Sequence, residues 1–331
     1  MSAPQLAVSD LRVEIASQRG VVRAVDGISL EVAPGEAVGL VGESGSGKSM
    51  TLKSIIGVLP PEAKITSGEV VLDGTDLTRL SHSRLNKIRG RRIAMIFQEP
   101  MSALNPVMRV GNQIAEGPRV HLGMSRAQSV QRALELMRRV GIPDPERRFR
   151  SYPHEFSGGM RQRVMIAIAL SCDPELILCD EPTTALDVTI QDQILRLLAQ
   201  LCHESGTSLI FVTHDLPVVA QVCHKIAVMY AGRIVERGTV SEVFSAPLHP
   251  YTLGLLRSAP DVDRPDQSLV PIPGSPPSLI APPSGCHFHP RCKFAEEDCK
   301  VIDPSLRVVE GGRATACLHY ERILDEMGAD A

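Results

Sequence analysis

Short apolar runs bounded by turn residues recur along the chain at 36–42 (EAVGLVG), 93–98 (IAMIFQ), 176–181 (LILCDE), 208–214 (SLIFVTH) and 225–230 (KIAVMY). Their length and β-branched content predict buried strands of a largely parallel sheet. Between them the period lengthens. In 187–205 the residues Ile190, Ile194, Leu197, Leu198 and Leu201 share one face at helical spacing, which predicts an amphipathic helix. Strands alternating with helices argue an α/β core. The opening stretches LAVSDLRVEIAS and VVRAVDGISLEV alternate with a period of two and predict an antiparallel strand pair beside that core. Residues 105–152 are polar and helix-prone and predict a helical subdomain, drawn at about 105–172, inserted into the sheet. From 259 to 285 the chain is rich in Pro and Ser, the composition of an extended linker. The expected divisions are therefore a domain at 5–258, the linker at 259–285 and a small cysteine module at 286–331.

Composition narrows the classes. A chain of 331 residues with 43% hydrophobic content can bury a full core. Its longest uninterrupted apolar run, VMIAIAL at 164–170, is far short of the roughly 20 residues a spanning helix needs. The N-terminus has neither a basic flank nor an apolar stretch, so the cytoplasm is the expected compartment. A net charge of −3 gives no global pull towards nucleic acid. The basic clusters at 84–92 and 146–150 have only Phe149 at hand for stacking and are read as solvated faces beside an anionic membrane.

Chemistry enters at 42–49, GESGSGKS, which fits G-x-x-x-x-G-K-[ST] between a predicted strand and a predicted helix. Gly42, Ser44, Gly45, Ser46 and Gly47 turn backbone N–H groups inward on phosphate oxygens. Lys48 supplies a charge to the β- and γ-phosphates, Ser49 is placed to hold Mg²⁺, and Met50 continues the helix whose N-terminus adds positive potential. Asp180 and Glu181 end an apolar strand, where two adjacent acids suit a ligand-facing sheet edge better than a core. Asp180 is expected on Mg²⁺ and Glu181 on the attacking water. Gln98 and His214 each end another strand of that sheet, one to sense nucleotide and Mg²⁺, the other to reach the γ-phosphate. At 156–163, FSGGMRQR, Ser157 is a good N-cap and Gly158 and Gly159 expose N–H groups, which makes a second anion-gripping element. It either folds over the same nucleotide or closes on one held by another subunit.

In this order GESGSGKS, FQ, FSGGM, LILCDEP, ALD and THD resemble the phosphate loop, Q-loop, signature, magnesium-acid strand, D-loop and switch histidine of ATP-binding cassette (ABC) ATPases, over roughly residues 5–258. The resemblance implies the P-loop NTPase ABC fold with an antiparallel β subdomain and a helical subdomain. It also implies a head-to-tail ATP sandwich in which Ser157 and Gly159 contact the partner's γ-phosphate and Asp187 crosses the interface. Two positions depart from the family pattern. Phe156 and Met160 replace the ends of L-S-G-G-Q, and no aromatic residue precedes Phe97 to stack adenine, which leaves Arg19, Val22 or Arg23 to flank the base.

The stretches 97–106, 249–256 and 285–299 resemble the dipeptide/oligopeptide importer ATPases, a branch that also serves nickel, glutathione and other small solutes. That resemblance implies a peripheral subunit on the cytoplasmic face of the cell (inner) membrane. Its partners would be a homologous second ATPase, two permease subunits and an extracytoplasmic solute-binding protein, with no nucleic acid. The rival reading is a soluble ABC-type ATPase of DNA repair or translation, but such chains usually carry two cassettes and this one has a single phosphate loop.

Of eight cysteines, Cys172, Cys179, Cys202 and Cys223 lie in apolar segments and read as small core residues. Cys286, Cys292, Cys299 and Cys317 cluster in a short polar module that needs a staple. Their C-x₅-C-x₆-C-x₁₇-C spacing lacks the close pairs of most zinc sites. Four thiolates can hold an iron–sulfur cluster, and the branch resemblance implies a [4Fe–4S] centre. Zinc, with His287, His289 or His319 replacing a thiolate, is the alternative.

Overall fold

The computed structural model describes residues 3–184, 186–259 and 270–329. In chain order its strands are β1 (Leu6–Ser17), β2 (Gly20–Val32), β3 (Ala37–Val41), β4 (Ala63–Leu72), β5 (Thr75–Asp76), β6 (Ile93–Ile96), β7 (Leu176–Asp180), β8 (Ser208–Thr213), β9 (Lys225–Tyr230), β10 (Arg233–Thr239), β11 (Arg307–Val308) and β12 (Ala314–Thr315). The chain forms two compact units, one of residues 1–5, 32–36 and 79–211, the other of 6–31, 37–78 and 212–331. The boundaries expected at 258 and 285 follow composition, whereas these units follow contacts, and the cysteine segment belongs to the second of them. Residues 260–269 of the expected linker lie outside the described residues.

In the first unit β6 and β7 run parallel, with Ile93 opposite Leu176 and Ile96 opposite Cys179. Every residue of both strands is buried, as short continuous apolar runs of parallel strands require. Each fully buried Leu, Ile or Val contributes roughly 1.5–3 kcal/mol relative to exposure. The helical insert comprises Val110–His121, Arg126–Arg139 and Pro145–Arg148. Ser125 starts the middle helix with a capping box closed by Gln128, which satisfies orphan N–H groups of the first turn. The helix Val188–Ser205 begins on Asp187, whose carboxylate accepts from Ile190 N at 3.0 Å, and ends on the left-handed Gly206.

In the second unit β2, β1, β4 and β5 form one sheet in that order, with β1 and β4 antiparallel from Leu6 opposite Leu72 to Ile15 opposite Ala63. The other sheet holds β3 parallel to β9, with Val38 opposite Lys225, and continues through the β9–β10 hairpin. It then takes in β12, Glu236 facing Thr315, and β11. The C-terminal segment therefore extends this sheet.

Candidate functional site

In the second unit the loop 42–47 leads from β3 into the helix Lys48–Ile56. Gly47 caps that helix in the left-handed region, at φ 105°. A Cβ there would stand 2.1 Å from the Ala24 carbonyl oxygen, and one on Gly42 would stand 2.1 Å from the Met229 carbonyl oxygen. Only a residue without a Cβ fits either place without moving backbone. Lys48 is buried, and its Nζ donates to the carbonyls of Gly42 at 2.7 Å and Glu43 at 3.0 Å. Ser46 Oγ is buried with no hydrogen-bond partner among the described residues. A cradle of turned N–H groups, a buried ammonium and an orphaned hydroxyl has the donor chemistry that phosphate oxygens satisfy. Ser44 and Gly45 lie exposed at the tip, and Ser49 and Met50 are half-buried in the first helical turn.

The residues expected to flank a base lie on β2 and in the turn before it. Arg19 is exposed in the turn before it, and Val22 and Arg23 are half-buried and exposed. Arg23 N donates to the Leu279 carbonyl at 3.0 Å, so a described part of the Pro-rich stretch runs against this edge. His214, exposed, lies in this unit just after the end of β8.

The first unit gathers the acids. Continuing the β6–β7 register by two positions sets Gln98 beside Glu181, and Gln98 Nε2 donates to Glu181 Oε2 at 3.4 Å. Thr184 Oγ1 donates to the same oxygen at 3.1 Å. Asp180 is buried at the end of β7, and Glu181 takes the left-handed conformation, φ 45°, which turns the chain out of the strand at that point. Ser157 caps the helix Gly158–Ala169, accepting from Met160 N at 3.4 Å. A Cβ on Gly159 would meet Ile190 at 2.7 Å and one on Gly158 would meet Leu186 at 3.3 Å, so the S-G-G turn packs closely against 186–190. Phe156 is buried beneath the Arg148 guanidinium, 5.5 Å from its ring centroid. The departure at that position is thus a packing residue. Ala185, of the A-L-D stretch, lies outside the described residues.

The four C-terminal cysteines lie together in the second unit. Cys286, Cys292, Cys299 and Cys317 line one cavity together with His289 and His319. His287 lines a neighbouring cavity with Arg233, Asp303 and Cys286. Asp298, Cys299 and His319 present ligand atoms within 4.8 Å of one another, and His319 Nε2 donates to Asp298 at 3.0 Å. Burial, reinforced by the charge of the neighbouring thiols, pushes Cys292 up to about 11 and Cys317 up to about 12. Four thiols and two imidazoles lining one cavity are a donor set of the kind that suits a soft metal ion. The cysteines of the apolar segments are buried, as their surroundings predicted.

Sequence reasoning missed Arg291 and Tyr251, which bond Glu43, and Tyr230, which accepts from Arg291. Tyr251 and Arg291 lie within the stretches 249–256 and 285–299, but nothing in those stretches points to a residue 248 positions from Arg291.

Comparison with known proteins places these features. The model of the ABC transporter family matches residues 25–184, and that of the oligopeptide/dipeptide transporter C-terminal region matches 235–299. The chain is 52% identical to the dipeptide transport ATP-binding protein DppD of Lactococcus lactis, over 88% of this chain and 83% of that one. It is 47% identical to the oligopeptide transport ATP-binding protein OppD of Salmonella typhimurium, over 94% of this chain and 92% of that one. Among solved structures, a dimeric post-hydrolysis state of the ATP-binding cassette MJ0796 bound to ADP and phosphate superposes with a TM-score of 0.62 at 30% identity, covering 71% of this chain and 98% of that one.

Proposed function

The chain belongs to the ABC transporter family, in its oligopeptide/dipeptide branch, and from that premise we propose how its residues divide the work. It has the ABC ATPase fold, it hydrolyses ATP, and it powers peptide import as the ATP-binding subunit of an importer. The soluble repair or translation reading is set aside, since these relatives are peptide transport proteins.

Gly42, Ser44, Gly45, Ser46 and Gly47 hold the β- and γ-phosphates on their N–H groups, Lys48 neutralises them, and the first turn at Ser49 and Met50 supports them. Arg19, Val22 and Arg23 flank the base. Ser49, Gln98 and Asp180 would hold Mg²⁺, which would supply neutralising positive charge to the phosphates when bound. Glu181 accepts the proton of the water that attacks the γ-phosphorus. The bond from that phosphorus to the bridging oxygen breaks, and ADP leaves with the oxygen. Gln98 orients the water and His214 donates to the γ-phosphate. Ser157, Gly158 and Gly159 cap the nucleotide held by a homologous second ATPase, and Asp187 lies at the seam between the two subunits. Closure on ATP and reopening after hydrolysis then drive two permease subunits, with peptide delivered by an extracytoplasmic binding protein.

Permease docking beside Gln98 is supported by the apolar side chains of Phe97, Met101 and Val107, which are 38%, 52% and 82% exposed. Among the described residues no helix is long and apolar enough to cross a membrane, consistent with a subunit held peripherally at the cytoplasmic face of the inner membrane. Cys286, Cys292, Cys299 and Cys317 hold a [4Fe–4S] cluster, supported by their convergence on one cavity. Anaerobic purification is expected to yield iron and sulfide in equal amounts, whereas zinc alone would favour a site completed by His289 or His319. Residues 5–258 act as the cassette and 286–331 as an accessory module.

The observation that carries the reading is the cradle at 42–48 in a chain that also carries the Gln98–Glu181 pair and the S-G-G turn. Reconstitution with its permease and binding protein in vesicles tests it. Labelled peptide is expected to accumulate only with ATP. Accumulation that ignores ATP would overturn it.

A further inference from the structure

The second residue of the phosphate loop is gripped by the C-terminal segment. Arg291 Nη1 donates to Glu43 Oε2 at 2.7 Å and Nη2 to Oε1 at 3.0 Å, a two-pronged pair. The guanidinium is itself fixed. Its Nε donates to the Pro273 carbonyl at 2.8 Å, Nη1 reaches Tyr230 Oη at 3.4 Å, and its carbon lies 5.8 and 5.9 Å from the rings of Tyr230 and Phe288. Only 5% of the Arg291 side chain is exposed. Glu43 is held at its backbone as well, its N–H donating to Tyr251 Oη at 2.7 Å while its carbonyl accepts from Lys48 Nζ at 3.0 Å. The lysine of the loop and the arginine of the tail therefore hold one residue between them. On its other side Arg291 adjoins Cys292, and Phe288, under its guanidinium, lines the thiol cavity.

A two-pronged fork from a buried guanidinium to a half-buried carboxylate holds its partner more tightly than an exposed ion pair. A ligand in the thiol cavity would bear on Phe288 and Cys292, and through Arg291 on Glu43, whose carbonyl accepts from Lys48. Nucleotide that draws Lys48 off that carbonyl acts on the same residues from the other end. We propose that Arg291 is a positioning residue for the phosphate loop and that, through Glu43, it couples nucleotide binding at 42–49 to occupancy of the cysteine cavity. The coupling rests on the ATP site and thiol centre proposed above. It is reciprocal, each ligand changing the other's affinity by one and the same factor, typically about 5- to 150-fold.

The test uses the full-length chain purified anaerobically as wild type, Arg291→Lys and Glu43→Gln. Lysine keeps the charge without the fork, and glutamine keeps the shape without the second acceptor. A fluorescent ATP analogue with Mg²⁺ gives the nucleotide Kd of metal-loaded and metal-stripped protein, and an iron(II) chelator gives the rate of iron loss with and without a non-hydrolysable ATP analogue. In wild type, stripping is expected to weaken nucleotide binding at least about fivefold, and nucleotide is expected to slow iron loss. In both variants each dependence should shrink to less than twofold while circular dichroism stays native. A merely structural role would lower the melting temperature of the variants and leave both dependences intact, which would overturn the proposal. So would a wild-type chain that binds nucleotide yet holds no iron or loses it at one rate throughout. Failure of wild type to bind nucleotide at all would instead overturn the ATP site on which the proposal rests.

Discussion

Glu181→Gln replaces one carboxylate oxygen with an amide and leaves the rest of the site in place. The backbone at 181 keeps its left-handed conformation, and the side-chain oxygen can still accept from Thr184 at 3.1 Å or Gln98 at 3.4 Å. Weakening one such hydrogen bond costs about 1 kcal/mol of stability. Removing a general base lowers the rate by about 10²- to 10⁴-fold, which at about 1.36 kcal/mol per decade raises the barrier by roughly 2.7–5.4 kcal/mol. The effect on chemistry therefore exceeds the effect on folding severalfold. Phosphate release by the assembled importer should fall by that factor, nucleotide affinity should hold within about threefold, and unhydrolysed ATP should remain on the protein through gel filtration. Hydrolysis at the wild-type rate would refute the assignment of Glu181 as base, as would a loss of hydrolysis matched by an equal loss of binding.

Gly47→Ala should destabilise by about 2–5 kcal/mol, the sum of a left-handed backbone cost and overpacking against Ala24 and Met229. Gly45→Ala, with nothing within 4 Å of the added carbon, should cost only the backbone part of about 1–2 kcal/mol, so equal losses in urea unfolding would contradict this account. For Asp26, burial acts to raise the carboxyl, but the hydrogen bond and charge of Arg233 and the charge of Arg12 outweigh it and hold the group below the ordinary range. Its contribution is therefore present above the unfolded value near 4 and lost as the pH falls through the folded one. Asp26→Asn should be about 1.5–3 kcal/mol less stable at pH 7, with the gap closing in acid, and a gap that does not vary with pH would contradict the sign. Burial pushes Cys202 and Cys223 up to about 12, so iodoacetamide at pH 8 should leave both unmodified until urea unfolds the chain. Mass spectrometry showing rapid native labelling of either would refute that.

Much of this was legible in the sequence because a few residue types have few alternatives. Fully buried parallel strands such as β6 and β7 leave short apolar runs, and a Cβ at 42, 47 or 159 would meet Met229, Ala24 or Ile190 at under 3 Å. Strand β4 left no such trace. Ser67, Gly68 and Glu69 are exposed along it, and only Val70 and Leu72 are buried, so no long apolar run marks it. Strands β11 and β12 are two residues each and owe their existence to β10. The Arg291–Glu43 pair was invisible for a different reason, since an arginine and a glutamate 248 positions apart carry no local periodicity. The convergence of four cysteines was suggested by composition, but which histidines accompany them depends on the turns at 286–292.

The central claim is that one chain touches two nucleotides, its own through Lys48 and a partner subunit's through Ser157 and Gly159. A photoactivatable ATP analogue with the reactive group on the γ-phosphate, bound to the Glu181→Gln chain alone and then to the same chain paired with its partner ATPase, measures this directly. Labelling confined to 42–49 in the lone chain, and appearing at both 42–49 and 156–163 in the pair, is the result the account predicts. A pair labelled only at 42–49, at full nucleotide occupancy, would contradict it.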